Sequence, residues 1–202
     1  EFKKPLIVGL KEEQEKYNLK LVGGDSCKSK LLTLSVTIFA KIDNKKIILR
    51  KGAKLGDIIF VTSNIGDSGL GLKILKDKKL EISNSDKNFL INKYLIPDIS
   101  FSAARLIQKY ANSSIDISDG LLQDLSHITR SSNLGAKIYK DKIPLSSSYI
   151  NFIKNNKIEK DFALNCGDDF QILFTAKKEN LEKIMSAGKN IKITNIGEII
   201  KE

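Results

Sequence analysis

The stretch SSIDISDGLLQDLSHI, residues 113–128, predicts a strand, a tight loop and a helix in immediate succession. Residues 113–117 form the predicted strand, and Asp116 and Ser118 point to the same face because side chains alternate along a strand. Asp119 begins the predicted helix, whose apolar residues at positions 121, 122, 125 and 128 share one face. A sheet strand and the helix that covers it are therefore expected to meet at Ser118.

Two carboxylates and a hydroxyl converge at this strand end. Helix capping alone explains Ser118 or Asp119, because both residue types commonly begin helices. It does not explain Asp116, which lies between two isoleucines on the strand. Two carboxylates in contact repel each other by several kcal/mol at an effective dielectric constant of about 20, unless a cation lies between them. The motif therefore predicts a magnesium site, and the adjacent helix start, with Gly120 allowing close approach, favours a phosphate.

The rest of the sequence mixes predicted strands and helices without an internal repeat. Strands are predicted at 19–22, 31–40, 46–50, 58–62, 136–139, 170–175 and 191–199. Helices are predicted at 10–17, 66–76, 83–95, 102–110, 149–155 and 178–185. The polar, glycine-containing segment KGAKLGD at 51–57 is interpreted as a domain boundary. The expected fold class is α/β or α+β, with a sheet covered by helices.

Three further motifs have both a structural and a functional interpretation. GGD at 23–25 could present backbone N–H groups and a metal-binding carboxylate, or form an ordinary tight turn. The paired acids of CGDDF at 166–170 could bind a ligand or form a turn before a strand. GDSGLG at 66–71 lacks the ending of a phosphate-binding Walker loop, so we interpret it as a helix start with small residues for close packing.

The single histidine, His127, is assigned a local hydrogen-bonding role, which leaves a catalytic triad without support.

The amino-acid composition indicates which kinds of partner and compartment the chain is suited to. The formal net charge is +10, but Arg50, Arg105 and Arg130 are the only arginines, tryptophan is absent and aromatic residues make up 7%. The lysines are evenly spread, which indicates a solvated surface and argues against a nucleic-acid partner; a basic nucleic-acid-binding module stays the weaker alternative. No apolar run approaches the roughly 20 residues of a membrane helix. Two cysteines far apart in sequence predict a reducing cytoplasm rather than a disulfide framework.

Six motifs together resemble one enzyme family in order and approximate spacing. They are LVGGDS, RKGAKLGD, VTSNIGDSGLGL, SSIDISDGLLQDLSHI, NLGAKIYKDKIPLS and CGDDFQILFT, from about Leu19 to Gly197. This set resembles the thiamine-monophosphate kinases, of the superfamily that includes aminoimidazole ribonucleotide synthetase and selenophosphate synthetase. The resemblance implies a magnesium-dependent homodimer that transfers the γ-phosphoryl group of ATP directly to thiamine phosphate, giving thiamine diphosphate. No general base is implied, because the attacking phosphate oxygen is already ionised, and no catalytic residue is assigned.

The resemblance also assigns site residues. It implies ATP contacts at Gly24, Asp25, Arg50 and Ser118. Magnesium ligands are implied at Asp25 and also at the two aspartates that the motif itself predicts, Asp116 and Asp119. Asp168 takes the place of the family's usual glutamate, which contacts thiamine phosphate.

Several departures from the family pattern bear on activity. The N-terminal third, with a GDDAA-like acidic motif, and the aromatic-bearing C-terminal tail have no counterpart in this sequence. The residues after GGD are SCKS where the family has Thr-Thr-Arg-Gly, and DIS at 98–100 replaces a usual proline and arginine. Residues 1–52 are expected to be the tail of the ATP-binding, dimer-forming domain, and 53–202 the C-terminal α/β domain. Alternatives are an inactive remnant, one half of a split kinase, or another ATP-dependent member of the superfamily.

Overall fold

The computed structural model describes residues 3–43, 47–77, 79–156, 158–187 and 191–202. The chain divides into two compact units, Glu1–Lys41 and Ile42–Glu202. The expected division of domains after residue 52 stays a prediction.

The first unit contains one helix followed by extended chain. Helix α1 spans Lys3–Tyr17, and none of its residues is buried. The prediction began this helix at Leu10, which is too late. Pro5 lies in the first helical turn, where proline is tolerated because the backbone N–H at that position needs no partner within the helix.

The predicted strands at 19–22 and 31–40 are wrong, since residues 18–43 contain no assigned strand. The apolar side chains of the second segment lie in solvent, with Leu31 77% and Phe39 86% exposed. A strand is stable only where a neighbouring strand pairs with its backbone N–H and C=O groups. The described part of the first unit provides no such neighbour, so the alternating sequence gives extended chain instead.

The third wrong strand prediction covers residues 46–50. Lys46 lies outside the described residues, and 47–50 are not assigned as a strand. The Leu49 carbonyl nevertheless accepts a hydrogen bond from the Ser114 N–H at 3.0 Å, so this segment lies beside an edge of the sheet.

The second unit is built on a five-stranded sheet in the order β2-β4-β1-β5-β3. Its strands are β1 (Ile58–Thr62), β2 (Ala111–Ile117), β3 (Gly135–Ile138), β4 (Gln171–Ala176) and β5 (Ile193–Ile200). All neighbouring pairs are antiparallel. The predicted class, a mixed α and β fold with a helix-covered sheet, is confirmed in its α+β form.

Helices cover this sheet and extend beyond it. They are α2 (Asp67–Lys76), α3 (Asn84–Leu95), α4 (Ala104–Tyr110), α5 (Leu121–Ser132), α6 (Ser147–Asn156), α7 (Phe162–Asn165) and α8 (Leu181–Ala187). Short 3-10 turns span 101–103, 140–142 and 178–180. The prediction missed α7, which is too short to show helical periodicity. Within the described ranges, no helix is both long enough and apolar enough to cross a membrane.

The two faces of the sheet bury separate apolar clusters. Ile115 and Ile117 of β2 pack with Leu121, Leu125 and Ile128 of α5. On the second face, residues of β1 and β4 pack with α4 and α8, and the rings of Phe60 and Phe174 stack at 5.1 Å. Each fully buried large side chain contributes about 1.5–3 kcal/mol relative to an exposed one. The helix that follows the polar strand end is therefore fixed firmly to the sheet.

The glycine-rich opening of α2 serves close helix packing, as interpreted from GDSGLG. A Cβ atom at Gly71 would lie 2.1 Å from the Leu90 carbonyl oxygen of α3. A Cβ atom at Gly69 would lie 2.4 Å from that of Cys166. Only glycine allows these approaches, so the small residues join α2 to its neighbours.

Candidate functional site

The end of β2 presents polar side chains to solvent, as predicted. Asp116 is exposed between the buried Ile115 and Ile117. In the part of the chain that the structure describes, its carboxylate has no hydrogen-bond or ion-pair partner. Asp119 is also exposed, and its Oδ2 accepts a hydrogen bond from Gln123 Nε2 at 3.3 Å. Both carboxylates are therefore accessible to a ligand from solvent.

The loop between β2 and α5 differs from the prediction in two ways. Helix α5 begins at Leu121, so Asp119 precedes the helix rather than starting it, and Gly120 is the residue before the first turn. Gly120 has φ 125°, and a Cβ atom there would lie 3.1 Å from the Asn165 carbonyl oxygen. Its small size serves an approach to the protein's own backbone, which the prediction did not include, and the predicted approach to a ligand stays a prediction.

The Asp124 side chain binds the backbone of this loop. Its Oδ2 accepts hydrogen bonds from the backbone N–H groups of Ser118 at 3.0 Å and of Asp119 and Gly120 at 3.1 Å. The side chain is only 2% exposed. The internal carboxylate therefore occupies the N–H groups of residues 118–120, just before the helix, and the predicted binding of phosphate by the helix start itself stays a prediction.

The inward face of α5 explains why sequence interpretation missed Asp124. The predicted apolar face included Leu122, but this side chain is 39% exposed, and Asp124 is buried beside Leu121 and Leu125. Residues 121, 125 and 128 follow the helical repeat, whereas 122 lies about 100° away. An aspartate in the first turn, after a glycine, was the available signal, since carboxylates stabilise helix N-termini.

Asp119, Asp124 and His127 form a further cluster. One potential ligand atom from each side chain lies within 4.8 Å of the other two. His127 is partly buried and Asp119 is exposed. The predicted metal residue Asp119 therefore lies beside two groups that the sequence interpretation had not connected with it.

The CGDDF loop pairs directly with the end of β2. The Asp168 N–H donates to the Ser118 carbonyl at 3.0 Å, and the Phe170 N–H donates to the Ile117 carbonyl at 2.8 Å. A Cβ atom at Gly167 would lie 2.2 Å from the Ser118 carbonyl oxygen, so the two backbones need glycine to approach. The structure thus brings the predicted residues Ser118, Asp119 and Asp168 together.

Asp169 is the buried member of the acidic pair. Its carboxylate accepts hydrogen bonds from the Gly66 N–H at 2.6 Å and the Ser68 N–H at 3.2 Å, at the start of α2. Burial, together with the nearby Asp67, raises the pKa of Asp169 to about 7. Burial also raises the pKa of Asp67, whose Oδ1 accepts a hydrogen bond from Ser146 Oγ at 2.6 Å. The sequence interpretation missed this long-range role.

The remaining predicted residues lie apart from this pair of loops in sequence. Arg50 is exposed and follows Leu49, which is hydrogen-bonded to Ser114 of β2. Gly24 and Asp25 belong to the first unit, where both are exposed. No atom lies within 4 Å of a Cβ atom built at Gly24, and Asp25 Oδ1 accepts a hydrogen bond from the Ser26 N–H at 2.7 Å. Their predicted roles in binding ATP and magnesium stay predictions.

Comparisons with known proteins confirm the resemblance to thiamine-monophosphate kinases. The thiamine-monophosphate kinase of Buchnera aphidicola subsp. Schizaphis graminum is 40% identical over 188 residues, which cover 91% of this chain and 57% of that protein. The crystal structure of the kinase from Stenotrophomonas maltophilia K279a matches with a TM-score of 0.73 at 27% identity, over 80% of this chain and 52% of that one.

A third comparison involves a ligand complex. The structure described as AaThiL complexed with AMPPCP and TMP matches with a TM-score of 0.69 at 34% identity, over 77% of this chain and 48% of that one. This chain thus spans about half the length of the relatives it resembles. The family model described as AIR synthase related protein, C-terminal domain, matches residues 54–202. The chain therefore belongs to the AIR synthase related family, through the C-terminal domain of that family.

Proposed function

We propose that this chain is part of a magnesium-dependent kinase that transfers the γ-phosphoryl group of ATP to thiamine phosphate, giving thiamine diphosphate. The observation that carries the proposal is the pair of exposed carboxylates, Asp116 and Asp119, on either side of Ser118 at the end of β2. The relatives' names and the AMPPCP and TMP of the ThiL complex support the choice of nucleotide and acceptor.

The donor set fits magnesium. Asp116 and Asp119 offer hard carboxylate oxygens, which magnesium prefers, and neither carboxylate forms an ion pair with a described residue. Bound there, magnesium would supply neutralisation of the charge on the nucleotide phosphates. Asp116 and Asp119 would hold the ion, and Asp25, in the first unit, is proposed separately as a magnesium ligand. Two anionic substrates must come together, so a surface rich in uncompensated carboxylates is useful only with cations.

The remaining roles concern binding and orientation. The Ser118 hydroxyl, the Gly24 backbone and the Arg50 guanidinium would contact ATP, with Arg50 supplying a permanent positive charge for phosphate oxygens. Asp168 would contact the acceptor, and as an anion it would pair with the cationic thiazolium ring or a hydrogen-bond donor instead of the phosphate. The chain needs no general base, because the acceptor phosphate oxygen is already ionised. Alignment of the reactants would account for most of the rate.

The proposal also concerns the part of the kinase that this chain does not match. Because the chain matches 57% of its relative, we propose that activity requires the family's remaining N-terminal segment, in the same polypeptide or a separate one. Exposed apolar side chains between residues 19 and 39 of the first unit support a partner there, since large apolar patches mark interaction surfaces. A homodimer acting in the cytoplasm is the expected assembly.

The test is thiamine diphosphate formation from thiamine phosphate, ATP and Mg²⁺. The chain is assayed alone and with the unmatched N-terminal part of the Buchnera kinase added as a separate polypeptide. We expect turnover in at least one arrangement, and its loss in Asp116→Asn. Asp141→Asn, a change of an exposed carboxylate in the 140–142 turn, serves as the matched control and should retain activity.

Two outcomes would redirect the proposal. Turnover of another phosphate acceptor in a substrate panel, without thiamine phosphate turnover, would indicate a different ATP-dependent member of the superfamily. Absence of turnover in both arrangements, with every acceptor, would indicate an inactive remnant.

A further inference from the structure

Asp124 makes an unusual set of hydrogen bonds. A single oxygen, Oδ2, accepts from three consecutive backbone N–H groups, at 118, 119 and 120. The Asp124 N–H in turn donates to the Gly120 carbonyl at 2.9 Å. Hydrogen bonds to an ionised acceptor are stronger and shorter than neutral ones. The loop therefore has one conformation in which all three amides point at the same buried atom.

Among the described residues, Asp124 is the one side chain that binds the amides of this loop. The Gly120 side of α5 has no side-chain cap hydrogen bond. Gly120 has φ 125°, and glycine adopts many backbone conformations with similar ease, so this residue does not fix the loop by itself. Asp119 lies in solvent, and its contact with Gln123 is an exposed bond at 3.3 Å. Asp168 and Gly167 contact the loop at the Ser118 carbonyl, and Gly120 packs against the Asn165 carbonyl, but neither contact binds the amides of residues 118–120. Asp124 therefore decides where Asp119 and the Ser118 hydroxyl lie.

The same bonds change the electrostatics of the site. Free N–H groups at a helix start attract phosphate directly. The amides of residues 118–120, just before the helix, are satisfied internally, and the buried Asp124 carboxylate adds a negative charge close to the exposed Asp119. A phosphate that approaches residues 118–120 finds their amides occupied and the Asp119 carboxylate exposed beside them, which favours binding together with a cation.

We propose that Asp124 is a positioning residue: it fixes the loop 118–120 and, by occupying its amides, makes phosphate binding at this loop depend on a divalent cation. The inference rests on the proposed function, because it assumes that Asp116 and Asp119 bind the cation. Asp124 itself touches neither substrate in this account.

The experiment measures binding rather than turnover. Mn²⁺ is titrated into the wild-type chain, Asp124→Asn and Asp124→Ala, with free ion followed by electron paramagnetic resonance. AMPPCP binding is then measured by calorimetry with Mg²⁺ and with excess EDTA. Asp141→Asn, on the surface, is the control. The Asn variant retains an acceptor oxygen without the charge, whereas the Ala variant frees all three amides.

For the wild type and the control we expect Mn²⁺ binding, and AMPPCP binding that disappears in EDTA. In Asp124→Ala the Mn²⁺ affinity should fall at least about tenfold, equivalent to ~1.4 kcal/mol, and weak AMPPCP binding should persist in EDTA. Asp124→Asn should lie between the two. Amide hydrogen exchange should show residues 118–120 protected in the wild type and fast in the Ala variant, which a general loss of stability would not confine to this loop.

The outcomes separate the two proposals. If the wild type binds no Mn²⁺, the proposed function fails at its metal site. If the wild type binds Mn²⁺ and both variants bind it equally well, with unchanged exchange at 118–120, the role of Asp124 is overturned. Should the Ala variant not fold, the Asn variant decides, because unchanged Mn²⁺ affinity and exchange there would also overturn the role.

Discussion

Two helix starts in this protein are held by buried carboxylates, but from different distances. Asp124 lies in the first turn of α5 and binds the amides of residues 118–120. Asp169 binds the amides of Gly66 and Ser68 at α2 from 103 and 101 positions away in sequence. The local carboxylate shapes one loop, whereas the distant one ties two parts of the fold together. We therefore expect Asp124 to affect ligand binding at its loop and Asp169 to affect the stability of the fold.

Removal of the distant carboxylate should have the largest effect on stability. Asp169→Ala leaves the Gly66 and Ser68 N–H groups without a partner in the interior. We expect a loss of about 2–6 kcal/mol in the free energy of unfolding, because each of the two unpaired buried N–H groups costs about 1–3 kcal/mol. Urea unfolding followed by circular dichroism measures it. Asp141→Ala, at an exposed carboxylate, should change the free energy by less than about 0.5 kcal/mol, and equal losses would refute the distinction.

The contact between the two site loops can be broken without touching a carboxylate. Gly167→Ala places a Cβ atom 2.2 Å from the Ser118 carbonyl oxygen, so the backbones must separate. The expected cost is about 1–3 kcal/mol, typical of overpacking in a tight interior. Gly23→Ala is the matched control, since no atom lies within 4 Å of its added methyl group. A Gly167→Ala variant as stable as wild type would mean that the loops do not pack as described.

The raised pKa of Asp169 predicts a pH dependence of stability. Burial raises its pKa from 3.8 to about 7, and Asp67, Tyr149 and Cys166 are the titratable groups that interact with it. The folded state binds this proton more tightly than the unfolded chain. The contribution of Asp169 is therefore fully present below about pH 4 and is lost as the pH rises to about 7.

Asp169→Asn removes this titration. Across pH 4–7 the wild type should lose stability relative to the Asn variant, with a constant difference above pH 7, as measured by urea unfolding at each pH. The free energy of unfolding of Leu122→Ala should change with pH in the same way as that of the wild type, because leucine does not titrate. A wild type that gains stability relative to Asp169→Asn over this range would contradict the assignment.

The smallest expected effect concerns the exposed bond beside the local carboxylate. Gln123→Ala removes the contact with Asp119 Oδ2 at 3.3 Å and leaves Asp124 in place. Stability should change by less than about 0.5 kcal/mol, and Mn²⁺ affinity by less than twofold, because exposed polar contacts contribute little. A larger loss of affinity in the Mn²⁺ titration would show that Gln123, rather than Asp124, positions Asp119.

The sequence predicted the second unit well because its signals are local. Alternation in β2 and the helical repeat of α5 depend on neighbours within a few residues. They placed Asp116 correctly near the end of β2, whereas Asp119 was expected to start α5 and instead precedes it. Segment 31–40 has the same alternation as a strand but forms none, because pairing depends on residues that no local pattern contains.

Long-range contacts explain the other failures. The bonds between Asp169 and α2 join residues more than a hundred positions apart, and a single sequence carries no trace of them. Asp124 is local, yet it was missed because a polar residue on a helix is expected to face solvent unless something inside pairs with it. Its partners are backbone amides, which every residue possesses and which no sequence pattern distinguishes.

The central claim is that the end of β2 binds a divalent cation and, through it, nucleotide phosphate. The most direct measurement is an anomalous difference map from crystals of the chain grown with Mn²⁺ and AMPPCP. The account predicts a peak within coordination distance of the carboxylates of Asp116 and Asp119, with phosphate oxygens on the same ion. Phosphate bound directly to the amides of residues 118–120, or Mn²⁺ bound elsewhere with these carboxylates free, would contradict it.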